Sequence, residues 1–287
     1  MNQTERHMLD LLRRGRDQFG VVAIKAEFEA EGTRPDELLR LMELGQRADL
    51  GLALKIGGCE AISDLFASKL YGATYIVAPM VETAYALTKF VEAKDKTHTA
   101  DERSQTKFLF NLETQTSLDN LDALLPVAKV GVDGIVFGRV DFTLSRGKPR
   151  GGVNDADVTE AVLTVADACR RHDLELVLGG SVSADAMTIL REVHAVRLDR
   201  FETRKVLFDG SAAELPNLAD GIANAVEFEL AWLHNKRDYY DSMAAEDNTR
   251  IRMMETRLRG RSSADGHGPS FSPQGSLFEQ SASPHGG

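Results

Sequence analysis

The chain has 287 residues, 43% of them hydrophobic and 27% charged, with 34 Lys and Arg against 44 Asp and Glu for a net charge of −10. That length suits one large barrel, for which roughly 250 residues are typical, better than a single small domain. The balance is that of a soluble globular protein: no apolar run reaches membrane-spanning length, and the acidic excess argues against a general affinity for nucleic acid.

In chain order, residues 1–19 are expected to form an N-terminal helix. This stretch has no uninterrupted apolar run and no small-residue cleavage site, so no secretory leader is read and a cytoplasmic address is expected. From residue 20 to 215, β-rich runs alternate with amphipathic segments of helical length. The runs are "VVAIKAEFE", "LALKIGG", "TYIVAPMV", "KFLFNLE", "DGIVFGRVDF", "LELVLGGS" and "AVRLDRFE". Such alternation predicts a mostly parallel α/β sheet, read here as a (β/α)8 TIM barrel. A doubly wound open sheet is disfavoured because "KAEFEAEG" is not a glycine-rich phosphate turn. Seven strands are evident, and the eighth is sought upstream of Val21 or within "RKVLFDG". Thr33 and Ser183 are expected to cap helices. Residues 216–260 read as a long helical extension that completes the barrel or packs against another subunit. Residues 261–287, rich in Ser, Gly and Pro, are expected to be disordered. Cys59 and Cys169 are too few for a thiolate metal site and read as small hydrophobes.

In a parallel barrel the reacting groups stand at the C-terminal ends of the strands. Charged residues recur at that level: Glu27 after the first strand, Lys55 after the second, Glu113 beside the polar Asn111 after the fourth, Arg139 and Asp141 after the fifth, and Arg197, Asp199, Glu202 and Arg204 around the last. Burying charge at a barrel mouth is costly unless it is paired or bound to a cation, so the repetition points to one shared site. Lys25 is left aside, since strand alternation allows it to face outward. Glu113 and Asp141 read as the two carboxylates of an oxygen-ligated site for Mg2+ or Mn2+. The seven histidines avoid the ends of the strongest strands, which argues against a zinc site.

"FLFNLETQTSLDNLDALL" followed by "GVDGIVFGRVDFTLSRG" resembles the paired signature of the HpcH/HpaI-type aldolase and citrate lyase beta-subunit family, whose strands end in Gln-x-Glu-Thr and Gly-Pro-x-Asp-Leu-Ser. "YIVAPMVETAYALTKFVEA" is similar to that family's Pro-Met-Val strand and helix, and "LALKIGG" falls where the family carries an arginine. The resemblance covers residues 20 to 210. It implies a pyruvate/phosphoenolpyruvate-type barrel that binds a 2-oxo acid or a citrate- or malate-like acyl compound on Mg2+ or Mn2+ and cleaves or forms a carbon–carbon bond. By that resemblance Glu113 and Asp141 are metal ligands, while Lys55, Glu27 and Arg139 are catalytic. Asn111, Gly138, Arg139, Glu82 and Arg204 contact substrate. The chain departs from the pattern at Arg139 for proline, Asn111 for glutamine, and Phe28 for the histidine that handles the substrate hydroxyl proton. Glu27, Glu29 or a metal-bound water are the replacements. Arg139, Arg204 and Lys205 point to a more anionic substrate. The partners expected are that small anion and further copies of the chain, with neither nucleic acid nor membrane. A phosphoenolpyruvate-type mutase or transferase, or a divergent barrel kept as a binding subunit, are the competing readings.

Overall fold

A computed structural model describes residues 1–265. Helix α1 (Gln3–Phe19) leads into β1 (Val21–Glu27), α2 (Pro35–Arg47), β2 (Gly51–Lys55), α3 (Ile62–Leu70), β3 (Tyr75–Ala78), α4 (Ala84–Thr97), the short α5 (Ala100–Ser104) and β4 (Lys107–Leu112). There follow α6 (Gln115–Asp119), α7 (Leu121–Gly131), β5 (Gly134–Gly138), α8 (Arg139–Ser145), α9 (Ala156–His172), β6 (Glu175–Gly179), α10 (Met187–His194), β7 (Arg200–Glu202), β8 (Val206–Asp209) and α11 (Leu218–Asp265).

The eight strands close into a barrel in sequence order, the α/β barrel expected from the pattern. One feature differs: β1 to β7 run parallel to their neighbours, but β8 is antiparallel to both β7 and β1. The eighth strand does lie within "RKVLFDG". Only residues 203 to 205 separate it from β7, far fewer than a parallel crossover needs, so the chain turns back in a hairpin closed by Thr203 N–H donating to Val206 O at 3.0 Å. The start of β8 therefore stands at the end of the barrel where β1 to β7 finish.

Strand alternation sends every second side chain inward. Ala23, Ala53 and Leu207 meet in one interior patch, and Val77, Leu109, Val136 and Val177 in another. The opposite faces, with Ile24, Leu54, Ile76, Phe110, Phe137 and Leu178, pack into the main core. Helix α1 starts with a reciprocal cap, Asn2 Oδ1 accepting from Glu5 N and Glu5 Oε2 accepting from Asn2 N, both at 2.8 Å. Gly20 ends it at φ 71°, a left-handed geometry that suits glycine. Thr33 does not cap α2: the flanking residue is Arg34, whose N–H donates to Glu37 at 3.4 Å, and the Thr33 hydroxyl turns to Glu31 instead. Ser183 likewise makes no side-chain cap bond.

His98, just after α4, packs its ring edge-on to Phe108 with centroids 5.1 Å apart, and its Nε2 is buried without a partner. Burial holds the imidazole below the usual histidine range. The unfolded chain takes up a proton near the ordinary value of about 6.5 while the folded one resists, so this contribution is intact above that pH and is lost as pH falls beneath it. His98→Gln should flatten the decline in urea midpoint between pH 7 and pH 5. Equal declines in both proteins would remove His98 as the cause.

Met1–Lys236 forms one compact unit, in which Leu218, Ile222, Ala225, Phe228 and Trp232 of α11 are buried. The second unit starts at Arg237. Within it Tyr239, Met243, Ile251, Met253, Met254 and Leu258 are exposed. Of the tail expected to be disordered, 261–265 are helical and 266–287 lie outside the described residues. Among the described residues no helix is long and apolar enough to cross a membrane.

Candidate active site at the barrel mouth

The C-terminal ends of the strands surround a cavity of about 820 Å³. Its walls carry six cations (Lys25, Lys55, Arg150, Arg204, Lys205, Lys236) against eight carboxylates (Glu27, Glu29, Glu31, Glu37, Glu113, Asp141, Glu202, Glu229), a formal excess of two negative charges.

Glu113, one residue past β4, is almost wholly buried. Its Oε1 accepts from Met80 N–H at 3.1 Å, its Oε2 accepts from Asn111 Nδ2, and Lys55 Nζ lies 3.4 Å from Oε1. Burial raises its pKa, with Asp141 adding to the effect; Lys55, the Met80 amide and Asn111 oppose it without cancelling it. Two backbone features make the position possible. A Cβ on Gly138 of β5 would lie 2.7 Å from Glu113 Oε2, so only glycine lets the carboxylate cross that strand. Met80 holds φ 50°, left-handed geometry uncommon outside glycine, in the turn that aims its amide at Glu113.

Asp141 does not end a strand, contrary to the sequence reading. Strand β5 stops at Gly138, and Asp141 sits in the first turn of α8, exposed on the cavity wall. It forms no ion pair with Arg139, whose side chain turns away from the mouth. The Arg139 guanidinium, 0% exposed, donates to Gly179 O at 3.3 Å, Gly180 O at 2.7 Å, Ser181 O at 3.2 Å and Asn154 Oδ1 at 2.8 Å. Burial lowers its pKa to about 10, and the cation survives at neutral pH because four acceptors surround it. Four of the five guanidinium N–H groups are thus committed within the protein, so the Arg139 side chain ties the loop after β6 to α8 in place of the catalytic role expected of it, while the substrate contact expected of the residue rests on its backbone amide. Gly180, at φ 86°, permits that tie, since a Cβ there would meet Val140 N at 2.7 Å.

Lys25 is the residue the sequence reading passed over. It points inward, 8% exposed, and pairs with Glu202 of β7 and with Glu27 at 3.0 Å. Burial works against its charge, but the two carboxylates outweigh it and its pKa is raised. The same contact lowers Glu27 despite burial. The missed signal was periodicity: Lys25 and Glu27 are two apart on one strand, so placing Glu27 inward places Lys25 inward as well. Lys55 also stays charged; burial opposes it, and Glu113, Glu29 and Glu27 outweigh that, with Glu29 3.2 Å away. Arg204 lines the cavity. Glu82 is not among the residues that line it, and accepts from Thr114 Oγ1 at 2.7 Å. Arg197 and Asp199 precede β7 and so stand at the opposite end of the barrel, where Asp199 accepts from Leu176 N–H at 2.8 Å.

Among the described residues no three His, Cys, Asp or Glu converge on one point. The donors at the mouth still fit a hard divalent cation. Asp141 and Glu113 supply two carboxylates, and Asn111 Oδ1 is buried with no hydrogen-bond partner beside Glu113. Oxygen donors of that number leave positions for water and a substrate, the habit of Mg2+ and Mn2+.

A closed α/β barrel with titratable groups gathered at its C-terminal mouth defines the TIM-barrel class of enzymes. Residues 60–198 match the HpcH/HpaI aldolase/citrate lyase family model, so a little under half of the chain is similar to that family. Asn111, Glu113 and Asp141 fall inside the match; Glu27, Lys55 and Arg204 fall outside it. Among solved structures the chain is similar to an HpcH/HpaI aldolase from Desulfitobacterium hafniense DCB-2, with TM-score 0.56 and 16% identity over 66% of this chain and 80% of that one. It is also similar to an HpcH/HpaI aldolase/citrate lyase family protein from Burkholderia cenocepacia J2315, with TM-score 0.50 and 14% identity over 66% and 90%. At such identities the likeness is one of fold. No curated protein matches the chain.

Proposed function

We propose that the protein is a divalent-metal-dependent carbon–carbon lyase acting on a 2-oxo acid or a citrate- or malate-like compound. The reading is carried by one observation: an Asp141 carboxylate and a buried Glu113 of raised pKa face a single mouth beside the Asn111 Oδ1, and among the described residues neither Asp141 nor that oxygen has a partner. A Mg2+ or Mn2+ ion held by Glu113 and Asp141 would supply a positive centre for the carboxylate and keto oxygens of the substrate. It would also offset the excess of two negative charges in the cavity.

Lys55 keeps its ammonium charged in a buried position and donates to negative charge developing on the keto oxygen as the bond breaks. Lys25 holds Glu27 deprotonated, so Glu27 steadies the Lys25 and Lys55 cations and is a poor proton carrier. Glu29 takes over proton transfer from the histidine that Phe28 replaces: it is partly exposed on the cavity wall and touches Lys55. The exposed apolar side chains of 237–258 are covered by a second copy of the chain.

Oxaloacetate should lose carbon dioxide when the protein is mixed with Mn2+, followed as loss of the keto-acid absorbance. Lys55→Met should lower kcat on the order of a hundredfold, the scale seen when one oxyanion donor is removed. Failure to turn over oxaloacetate in the presence of Mn2+ would sink the lyase reading.

A further inference from the structure

The β7–β8 hairpin places two adjacent cations, Arg204 and Lys205, on the wall of the mouth cavity. Both are bonded to one carboxylate. Glu31 Oε1 accepts from Arg204 Nε at 2.9 Å, and Glu31 Oε2 accepts from Lys205 Nζ and, at 3.5 Å, from the Thr33 hydroxyl. Two cations with one donor on each oxygen is how proteins grip a ligand's carboxylate. Lys205 is fixed: it is 5% exposed, its backbone carbonyl accepts from Lys25 N–H at 2.8 Å, and its ammonium lies 6.0 Å from the Trp232 ring. The carboxylate is on a different footing. Glu31 sits in the irregular stretch between β1 and α2, next to Gly32 at φ 53°, where a Cβ would meet nothing within 4 Å. In the same hairpin Thr203 Oγ1 is buried without a hydrogen-bond partner and lines the same cavity.

We propose that Arg204 and Lys205 form a second carboxylate subsite, held here by Glu31 as an internal stand-in, and that a substrate's distal carboxylate displaces Glu31 from it. The substrate class is then a 2-oxo acid with at least one further carboxylate. The identity of the substrate rests on the lyase reading; the subsite itself does not.

The test uses succinate, which has two carboxylates and no keto group, titrated by calorimetry into chelator-treated full-length protein. Glu31→Gln should bind succinate about tenfold more tightly than the wild type, because the internal competitor has lost its charge. Arg204→Gln, at a half-exposed position, should bind about tenfold more weakly. Glu31→Gln should also melt earlier than wild type, and succinate should restore the difference. Unchanged affinity in both variants, or a lowered melting temperature that succinate leaves alone, makes Glu31 a plain strut and overturns the subsite. Mn2+-dependent oxaloacetate turnover with flat succinate titrations removes the subsite alone. The predicted succinate pattern without turnover keeps the subsite and removes the lyase reading.

Discussion

Glu113→Gln and Asp141→Asn should each abolish tight Mn2+ binding while leaving the barrel folded. A neutral amide keeps the shape of either side chain and removes the charge that offsets the metal's dehydration. The two substitutions differ in what else they disturb. Asp141 is exposed and pairs with no cation among the described residues, so its replacement should leave stability without metal within about 0.5 kcal/mol. Glu113 is buried against Lys55, so Glu113→Gln carries a stability cost of its own, moderated because Glu29 still pairs with Lys55 and the amide oxygen can still accept from Met80 N–H. The double variant should bind Mn2+ little worse than either single one, since groups that act as a unit are not additive. Melting temperature with and without Mn2+ checks all three proteins. Stabilisation by Mn2+ that persists in the double variant would place the ion elsewhere.

Arg139→Met should be the most damaging substitution to the fold. The methionine fills much of the volume, but it leaves the carbonyls of Gly180 and Ser181 and the Asn154 side chain without their buried donor. Stranding such groups should cost about 3 kcal/mol or more, which for a domain of this size lowers Tm on the order of 8 °C. The loss should be the same with and without Mn2+, because the guanidinium faces the loop after β6 and not the cavity. Arg139→Lys should recover little, since one ammonium cannot reproduce the fork that reaches three successive carbonyls. Calorimetry on both variants measures it. An unchanged Tm together with lost turnover would return Arg139 to the catalytic group and refute its structural role.

Some of the site was legible because the relations that define it are local. Asn111 and Glu113 share one strand end, Gly138 follows at the end of the next, and "Pro-Met-Val" supplies the amide at Met80; these need only short-range pattern and strand alternation. Lys25 was legible in principle by the same alternation. What it meets was not, since Glu202 is 177 residues away and reaches Lys25 only when the barrel closes.

The roles of neighbouring charges divide at the same line. Arg139 and Asp141 stand two apart in the sequence, and composition treats them alike. The boundary between β5 and α8 separates them, because a helix from residue 139 turns the first side chain into the β6 loop and the third toward the mouth.

Taken alone, the amino-acid order determined a closed α/β barrel, the acids Glu27 and Glu113 at its strand ends and the family the motifs resemble, since hydrophobic periodicity and short motifs are properties of neighbouring residues. Tertiary structure alone decided that the last strand runs backward, that Arg139 is a loop tie, and that Glu31 occupies Arg204 and Lys205. Each of these depends on which distant segment fills the space opposite, and that is settled by closure and packing of the whole barrel.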